Sequence, residues 1–334
     1  MSSWVTVRAP VRVLDAGGWS DTWFAVHGTV CHLSVGPGTQ VRARAVRPAS
    51  MDGPEVRLEL PDFKDSYRYL LAAPPGRHPI LEVALRQWAP PGASLEVEVS
   101  SAVPPGSSLG TSASVVVALV AALQALGGVA PGPADLARAA HEVEAVHLGR
   151  QSGVQDQVAA AFGGINLVRV DPYPRFEVTP LALSAATLEA LRRRVVTVYL
   201  GAHDSSAVHE TVIAGLGQDD PRLGPIRVAA TRAAAALVAG DLGAYGEAMT
   251  SSSEGQAALH ASLVNDRARR VMQVAADLGA IGWKVNGAGG AGGTVTIIGP
   301  EDPAELVSEL TERERFRVLS LRVEETGAHI VTVA

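Results

Sequence analysis

The alternation of apolar and polar residues predicts a strand-rich first third, a helical middle and a mixed last part. Strict alternation over residues 94–100 indicates a half-buried strand, and the apolar run at 111–126 indicates a buried helix. Because strands and helices do not alternate regularly, the pattern favours an α+β fold. Other short β-branched or alternating runs predict strands at 4–7, 29–35, 40–46, 56–60, 165–170, 195–200, 294–298, 316–323 and 329–333. Helical spacing predicts helices at 78–88, 133–148, 154–162 and 303–311, and across most of 205–278.

The chain has 334 residues, a length that favours two domains, which we place at residues 1–200 and 201–334. Its hydrophobic share of 47% and charged share of 19% exclude a disordered chain. With 28 Lys and Arg against 34 Asp and Glu, the net charge is −6, which argues against a nucleic-acid partner. Cys31 is the only cysteine, so the sequence excludes an intrachain disulfide and a cysteine zinc cluster.

The sequence also predicts a cytoplasmic protein with no membrane partner. The first residues carry no apolar core after a basic start, unlike a signal peptide. The most membrane-like stretch, 113–130, contains Ser114 and Gln124 and breaks at Gly127 and Gly128. These polar residues and glycines favour a buried helix over a membrane span.

The segment 103–114 follows a predicted strand and opens a predicted helix. Its glycines allow a ligand to approach the backbone, and the first turn of a helix offers free N–H groups to a phosphate. Ordinary helix capping is the simpler interpretation. However, 106–114 holds five hydroxyls and two glycines in nine residues, which is more than one cap requires. No Lys-Ser or Lys-Thr pair follows the second glycine, so the segment is not a Walker A loop.

The same segment supports a second hypothesis, a serine hydrolase. Residues 106–110 satisfy G-x-S-x-G with Ser108 as the nucleophile, and Asp204 and His329 follow in the required order. Against this hypothesis, prolines at 104 and 105 stand where an abrupt turn from strand to helix is needed. The elements also do not alternate as the α/β-hydrolase fold requires.

Three acidic residues, Glu142, Glu144 and Asp156, lie in the segment 141–157. His147 follows His141 by six residues, so the pair does not form the H-E-x-x-H zinc motif. Asp156 lies at a predicted helix start, where an acidic residue complements the helix dipole. Alternatively, Asp156 is a carboxylate that orients or deprotonates a substrate hydroxyl.

Two further segments are rich in glycine. Gly287, Gly289 and Gly292 match G-x-G-x-x-G, but they precede a strand near the C-terminus, which excludes a dinucleotide-binding fold. The segment 286–293 is therefore either a glycine-rich hairpin or a backbone that approaches a phosphorylated ligand. In the segment 9–22, Asp21 and its neighbours could recognise a sugar, although a Gly-Gly turn with an Asx motif would look similar.

Together and in order, these four segments resemble the GHMP kinase superfamily over about residues 9–293. The resemblance implies a two-domain GHMP kinase fold, with an N-terminal ATP-binding domain like ribosomal protein S5 domain 2 and a ferredoxin-like α+β C-terminal domain. It implies that Asp156 is the catalytic carboxylate, that Arg12 holds it ionised, and that Mg²⁺ is held by Ser112 and Glu144. The residues it assigns to ATP are Pro105, Gly106, Ser107, Ser108, Leu109, Gly110, Thr111, Ser112, Gly287, Gly289 and Gly290. The residues it assigns to the substrate are Gly17, Gly18, Trp19, Ser20 and Asp21.

Three branches of the superfamily share features with this chain. Residues 16–22 resemble fucokinase-type sugar kinases, 155–164 resemble heptose-phosphate kinases, and Arg12 and Asp21 fit the spacing of galactokinases. All three branches phosphorylate an anomeric hydroxyl. The resemblance therefore implies transfer of the γ-phosphoryl group of ATP to the C1 hydroxyl of an aldose or aldose phosphate.

Two alternatives and one choice stay open at this point. The alternatives are the serine hydrolase and a non-catalytic relative that binds a sugar or a nucleotide. The choice is between a free sugar and a sugar phosphate. A phosphate pocket needs basic side chains, for which Arg150 and Arg169 are candidates.

Overall fold

The structure is a computed structural model that describes residues 3–48, 51–203 and 205–333. In these ranges the strands are β1 (Val5–Ala16), β2 (Gly28–Val46), β3 (Glu55–Leu60), β4 (Asp65–Leu70), β5 (Ser94–Ser101), β6 (Ile165–Val170), β7 (Phe176–Pro180), β8 (Val195–Gly201), β9 (Gly282–Val285), β10 (Gly293–Ile298), β11 (Arg317–Leu319), β12 (Arg322–Val323) and β13 (His329–Val333). The helices are α1 (Pro79–Trp88), α2 (Thr111–Leu126), α3 (Pro133–Glu142), α4 (Gln155–Phe162), α5 (Ala185–Arg194), α6 (Ser205–Ile213), α7 (Leu223–Ala239), α8 (Leu242–Leu259), α9 (Asp266–Asp277) and α10 (Ala304–Ser308). Two π-helical turns, Val143–His147 and Glu309–Arg313, continue α3 and α10.

The long strand β2 is the centre of the larger sheet. Its first part pairs with β6, its second part pairs with β5, and β1 runs antiparallel to most of its length. The order β13-β1-β2-β5-β3-β4 completes the sheet, with β6, β7 and β12 branching from this path. Only the contact between β3 and β5 is parallel among the described strand pairs.

Helix α2 lies buried on this sheet because most of its side chains are small or branched apolar residues. It packs against β1 and β2 on one side and against α1, α3 and α4 on the other. Val116, Leu119 and Val120 are fully buried in the core that these elements share. This packing fixes the first turn of α2 beside the start of α4.

The smaller sheet has the antiparallel order β11-β8-β10-β9. Helices α9 and α10 cover it, with Val271 and Leu306 packed against Val198 and Ile297. The element order strand, helices, two strands, helix, strand is that of a ferredoxin-like unit. Helices α7 and α8 pack against each other, and α8 contacts both β1 and β9, so it joins the two sheets. The predicted α+β fold with two sheet-based units is confirmed.

Most predicted elements are present, and the differences have physical reasons. The runs 29–35 and 40–46 belong to one strand, β2, because the strand continues through residues 36–39 with a shift in its pairing to β1. The run 316–323 is split, because β11 pairs with β8 whereas β12 pairs with β2. Strands β4, β7 and β9 and helix α5 were not predicted.

The two sheets do not follow a single cut at residue 200. Strand β8 begins at Val195 and belongs to the smaller sheet, whereas β12 and β13 return to the larger sheet. The last strand, β13, joins the larger sheet by antiparallel pairing with β1.

The stretch 113–130 is largely the buried helix α2, as predicted. Across the described ranges, no helix combines the length and apolar character needed to cross a membrane.

Candidate active site

Four chain segments meet around a cleft of about 540 Å³. They are the turn after β1, the loop that leads into α2, the loop that leads into α4 and the glycine loop before β10. Glu210 and Ile213 of α6 complete the wall. The four segments that the sequence singled out are therefore brought together in space.

The loop before α2 presents its backbone to this cleft. Every residue of 106–112 lines the cleft, whereas Pro105 lies just outside it and its carbonyl accepts a hydrogen bond from Tyr199. Gly106 and Gly110 have φ of +65° and +73°, a region that glycine adopts without strain. No described side chain caps the N-terminus of α2, and its first turn holds no acidic residue. The first amides of a 16-residue helix are thus available to an anion.

Asp156 lies directly beside this loop. It occupies the first turn of α4, and a Cβ placed on Gly110 would lie 3.0 Å from its Cγ. Arg12 of β1 donates from Nε to Oδ1 of Asp156 over 2.8 Å. A second donor of Arg12, Nη1, binds the carbonyl oxygen of Ser108. Arg12 therefore ties the carboxylate to the loop that leads into α2.

The charges around Arg12 keep it protonated. Burial disfavours its charge, but the carboxylates of Asp156 and Asp15 outweigh this effect and raise the pKa of Arg12. The side chain of Asp156 is 30% exposed, whereas that of Arg12 is 4% exposed. Oxygen Oδ1 of Asp156 is thus held by Arg12, and Oδ2 accepts no hydrogen bond from a described residue.

Asp21 lines the cleft from the turn after β1. Its Oδ2 accepts hydrogen bonds from the amides of Val154 and Gln155, over 2.9 and 3.0 Å, at the start of α4. Burial, with the charge of Asp156 adding, raises the pKa of Asp21 to about 6. A Cβ on Gly153 would lie only 2.2 Å from Oδ2, so glycine is needed for this close approach.

The other residues predicted to bind substrate divide into two groups. Trp19 lines the cleft, next to Phe24 at a centroid distance of 6.4 Å. Ser20 is fully buried, and its hydroxyl donates to the carbonyl of Gly17 over 2.7 Å. Gly17, Gly18 and Ser20 therefore shape the turn, and the structure places only Trp19 and Asp21 of the predicted set on the cleft.

The two predicted magnesium ligands both line the cleft. Ser112 is exposed in the first turn of α2, and Glu144 is buried in the π-helical turn that follows α3. Burial, with the charge of Asp156 adding, raises the pKa of Glu144 to about 7. Nε2 of Gln157 donates to Glu144 over 3.3 Å. A buried carboxylate with this raised pKa suits a site at which a cation binds together with the ligand of the cleft.

A metal site built from protein side chains alone is not present in the described ranges. They contain no group of three or more His, Cys, Asp or Glu residues that could hold a metal ion. A Mg²⁺ ion at Ser112 and Glu144 would therefore take its other ligands from phosphates and water, which is common for this ion.

The glycine loop before β10 packs against the loop before α2. Gly287 has φ of +58°, and a Cβ there would lie 2.8 Å from the carbonyl oxygen of Ser108 and 2.9 Å from Nη2 of Arg12. Gly287 lines the cleft. Gly289 and Gly290 instead pack against Leu263 and Val208, behind the cleft surface.

Sequence models of two domains match this chain. The model described as GHMP kinases N terminal domain matches residues 78–164, and the model described as GHMP kinases C terminal matches residues 233–314. The chain belongs to the GHMP kinase superfamily. The matched ranges contain α2, α4 and the glycine loop before β10.

Relatives of this chain include sugar-phosphate kinases. D-glycero-alpha-D-manno-heptose 7-phosphate kinase of Campylobacter jejuni is 27% identical over 210 residues, which are 62% of each chain. The match thus spans about three fifths of that curated relative. The crystal structure of a D-glycero-D-manno-heptose 1-phosphate kinase from Bacteroides thetaiotaomicron superimposes with a TM-score of 0.76 at 22% identity, covering 99% of both chains. Lactococcus lactis galactokinase complexed with galactose superimposes with a TM-score of 0.72 at 17% identity, covering 98% of this chain and 95% of that one. The two superpositions show a shared fold.

The α/β-hydrolase alternative is wrong for this chain. Both sheets are mainly antiparallel, and His329 binds the carbonyl of Gly327 through Nδ1. Asp204, the third member proposed for the triad, lies outside the described residues. Ser108 does contact a histidine, because its Oγ lies within hydrogen-bond distance of Nε2 of His203.

Sequence reasoning missed several residues of the site. His203 follows a buried strand and carries no motif, so no local signal marks it. Gln155 lines the cleft beside Asp21, and its buried Oε1 has no hydrogen-bond partner within the described ranges. Trp23 and Phe24 extend the aromatic wall. The aromatic cluster in 19–24 was the available signal for these two rings.

Proposed function

We propose that this GHMP kinase transfers the γ-phosphoryl group of ATP to the C1 hydroxyl of an aldose or aldose phosphate. One observation supports the proposal most directly. The carboxylate of Asp156, anchored by Arg12, packs on Gly110 at the uncapped N-terminus of α2. An anion site and a carboxylate thereby face the same cleft. Phosphoryl transfer needs this arrangement, because it depends mainly on positioning and charge neutralisation.

The nucleotide phosphates would lie on the amides of residues 106–112, with Gly287 closing the site. The fit rests on the glycine backbone: Gly106 and Gly110 adopt φ of +65° and +73°, and all of 106–112 lines the cleft. Ser112 and Glu144 would hold Mg²⁺. When bound, ATP supplies the phosphoryl group and Mg²⁺ neutralises charge on its phosphates.

Asp156 has separate tasks for its two carboxylate oxygens. Oδ1 stays with Arg12, which fixes the side chain, whereas Oδ2 is left to accept the hydrogen bond or the proton of the sugar hydroxyl. Trp19 would pack on the sugar ring, and Asp21 would accept a hydrogen bond from a ring hydroxyl. The rings of Trp23 and Phe24 extend this wall.

An aldose phosphate is the first substrate class to test. The relatives in Campylobacter jejuni and Bacteroides thetaiotaomicron are named as kinases of heptose phosphates. Arg150 is exposed and lines the cleft, so it can meet an acceptor phosphate. Arg169 is exposed on β6 and does not line the cleft.

A coupled assay of ADP release over free aldoses and aldose phosphates tests the proposal. We expect release that depends on both ATP and one sugar class. The variant Asp156→Asn should lower kcat by about 10²–10⁴-fold, because a positioned base contributes about that much. It should still bind ADP, as measured by calorimetry. An Asp156→Asn enzyme with wild-type turnover would remove the role of this carboxylate. Nucleotide binding without turnover on any sugar would favour a non-catalytic relative.

A further inference from the structure

Lys284 is one of only two lysines in the chain, and it is 1% exposed. It lies on β9, where its Nζ donates to Oε1 of Gln256 over 2.6 Å and to the carbonyl oxygen of Val285. Oδ1 of the fully buried Asp15 is 3.8 Å from Nζ. A buried ammonium is retained only when it is paired and hydrogen-bonded, and these three oxygens supply that environment.

The two side chains that Lys284 joins hold the same glycine from both sides. Oδ2 of Asp15 accepts a hydrogen bond from the amide of Gly287 over 2.9 Å. Nε2 of Gln256 donates to the carbonyl oxygen of Gly287 over 2.9 Å. Both peptide groups that flank Gly287 are therefore bound by side chains that the ammonium of Lys284 connects.

Gly287 in turn contacts the groups that hold Asp156. A Cβ at Gly287 would lie within 3 Å of both the carbonyl oxygen of Ser108 and Nη2 of Arg12. Arg12 binds both Ser108 and Asp156. Lys284 also faces Asp15, whose charge acts on Arg12 together with that of Asp156.

We propose that Lys284 is a positioning residue for phosphoryl transfer, which joins Asp15 to Gln256 and so fixes Gly287 against Arg12, the partner of Asp156. The expected effect of Lys284 on turnover rests on the proposed function, in which Asp156 is the catalytic carboxylate. The restraint on the glycine loop does not, and it can be measured without substrate.

The test compares Lys284→Met with two further variants of the full chain. Asp15→Asn with Lys284→Met removes both charges, and an asparagine oxygen can still accept from the Gly287 amide. Lys64→Met removes the other lysine, which is exposed at a turn, and serves as the control. For each variant, hydrogen exchange is measured in peptides covering 286–293 and 195–201. The values of kcat and of KM for ATP are measured as well, at a temperature well below the melting temperature of that variant.

We expect Lys284→Met to speed exchange in 286–293 while 195–201 keeps its protection. Its kcat should fall by about 10²-fold, the effect of a small misplacement of catalytic groups. The double variant should recover at least about a tenth of wild-type kcat, since the unpaired charge of Asp15 is gone. Lys64→Met should match the wild type in every measurement.

Wild-type exchange and kcat in a folded Lys284→Met protein would overturn the proposal. If Lys284→Met does not fold, Gln256→Met carries the test, because it removes the hydrogen bond to the carbonyl oxygen of Gly287. Wild-type exchange in 286–293 together with wild-type kcat in Gln256→Met would then overturn the proposal. If the wild-type protein phosphorylates no sugar, the proposed function fails. Exchange in 286–293 then still decides whether Lys284 restrains the loop.

Discussion

Glu144 carries a carboxylate whose protonation should control magnesium binding. Its pKa is raised to about 7 by burial, so it is mostly protonated at pH 6 and mostly ionised at pH 8. Only the ionised form binds a cation. We therefore expect the affinity for Mg²⁺-ADP, measured by calorimetry, to rise about tenfold between these two pH values.

Two variants make this prediction specific. Glu144→Gln should weaken Mg²⁺-dependent binding and lose the pH dependence between pH 6 and pH 8. Glu142→Gln, which changes an exposed carboxylate two residues away, should bind as the wild type does. An unchanged magnesium titration in Glu144→Gln would remove this residue from the metal site.

Ionisation of Asp21 should lower the free energy of unfolding of the ligand-free protein at neutral pH. The pKa of Asp21 is raised in the folded state to about 6, so the unfolded chain ionises first and stability falls as pH rises from about 4 to 6. The ionised side chain then costs about 3 kcal/mol. Asp21→Asn should relieve this cost, so that the variant gains about 2 kcal/mol more over the wild type at pH 8 than at pH 4 in urea unfolding.

The same variant tests recognition of the sugar. Asp21→Asn should raise KM for the sugar more than KM for ATP, because Asp21 lines the cleft from the turn after β1 rather than from the loop before α2. Equal changes in both constants would argue that Asp21 only supports the start of α4.

At the residue scale, the sequence could predict the groups that carry motifs but not their distant partners. Asp156, Arg12 and Gly287 were assigned from motif resemblance, and the structure places all three at one cleft. His203 contacts Ser108 across 95 positions, and Lys284 contacts an aspartate near the N-terminus. Such pairs depend on strand pairing between distant segments, which local patterns do not encode.

At the scale of elements, the start of α2 depends on a glycine that keeps Asp156 in place. Gly110→Ala would add a Cβ 3.0 Å from Cγ of Asp156, in addition to the backbone cost of φ +73°. We expect kcat to fall by about 10²-fold, because a small displacement of this carboxylate is enough. ADP-release kinetics measure the effect.

Gly128→Ala is the matched control for this element. Gly128 has φ of +79°, but a Cβ there would meet no atom within 4 Å. The control should lose about 1–2 kcal/mol of stability from the backbone alone and keep wild-type kcat. Equal losses of kcat in the two variants would show that backbone strain, rather than contact with Asp156, explains the effect.

The elements that were predicted differ from those that were missed in how much apolar surface they bury. Helix α2 and strand β6 were predicted with the bounds that the structure has, since their apolar residues face a core. Strand β4 has no fully buried residue, and β9 has only four residues. Edge strands and short strands are held mainly by backbone hydrogen bonds, which do not require a recognisable pattern of apolar side chains in the sequence.

At the scale of the whole molecule, the C-terminal tail ties α4 to the larger sheet. The amide of Gly164 donates to the carbonyl of Glu324, and the amide of Ala328 donates to that of Ala160. The tail also leaves the smaller sheet at β11 and enters the larger one at β12. No linker composition marks this return in the sequence, so the prediction of two domains at 1–200 and 201–334 does not include it.

Gly327→Ala tests whether this tail makes the two sheets unfold together. A Cβ at Gly327 would lie 2.1 Å from the carbonyl oxygen of Ala161, so the tail or α4 must move. We expect a loss of about 1–3 kcal/mol, the usual cost of inserting a methyl group into a packed site. In urea, hydrogen exchange should report the same lowered midpoint for β6 and β8, one strand from each sheet. Gly76→Ala, where a Cβ meets nothing within 4 Å, should leave both midpoints unchanged. A midpoint that falls for β6 alone would show that the sheets unfold separately, since coincident transitions are the mark of one cooperative unit.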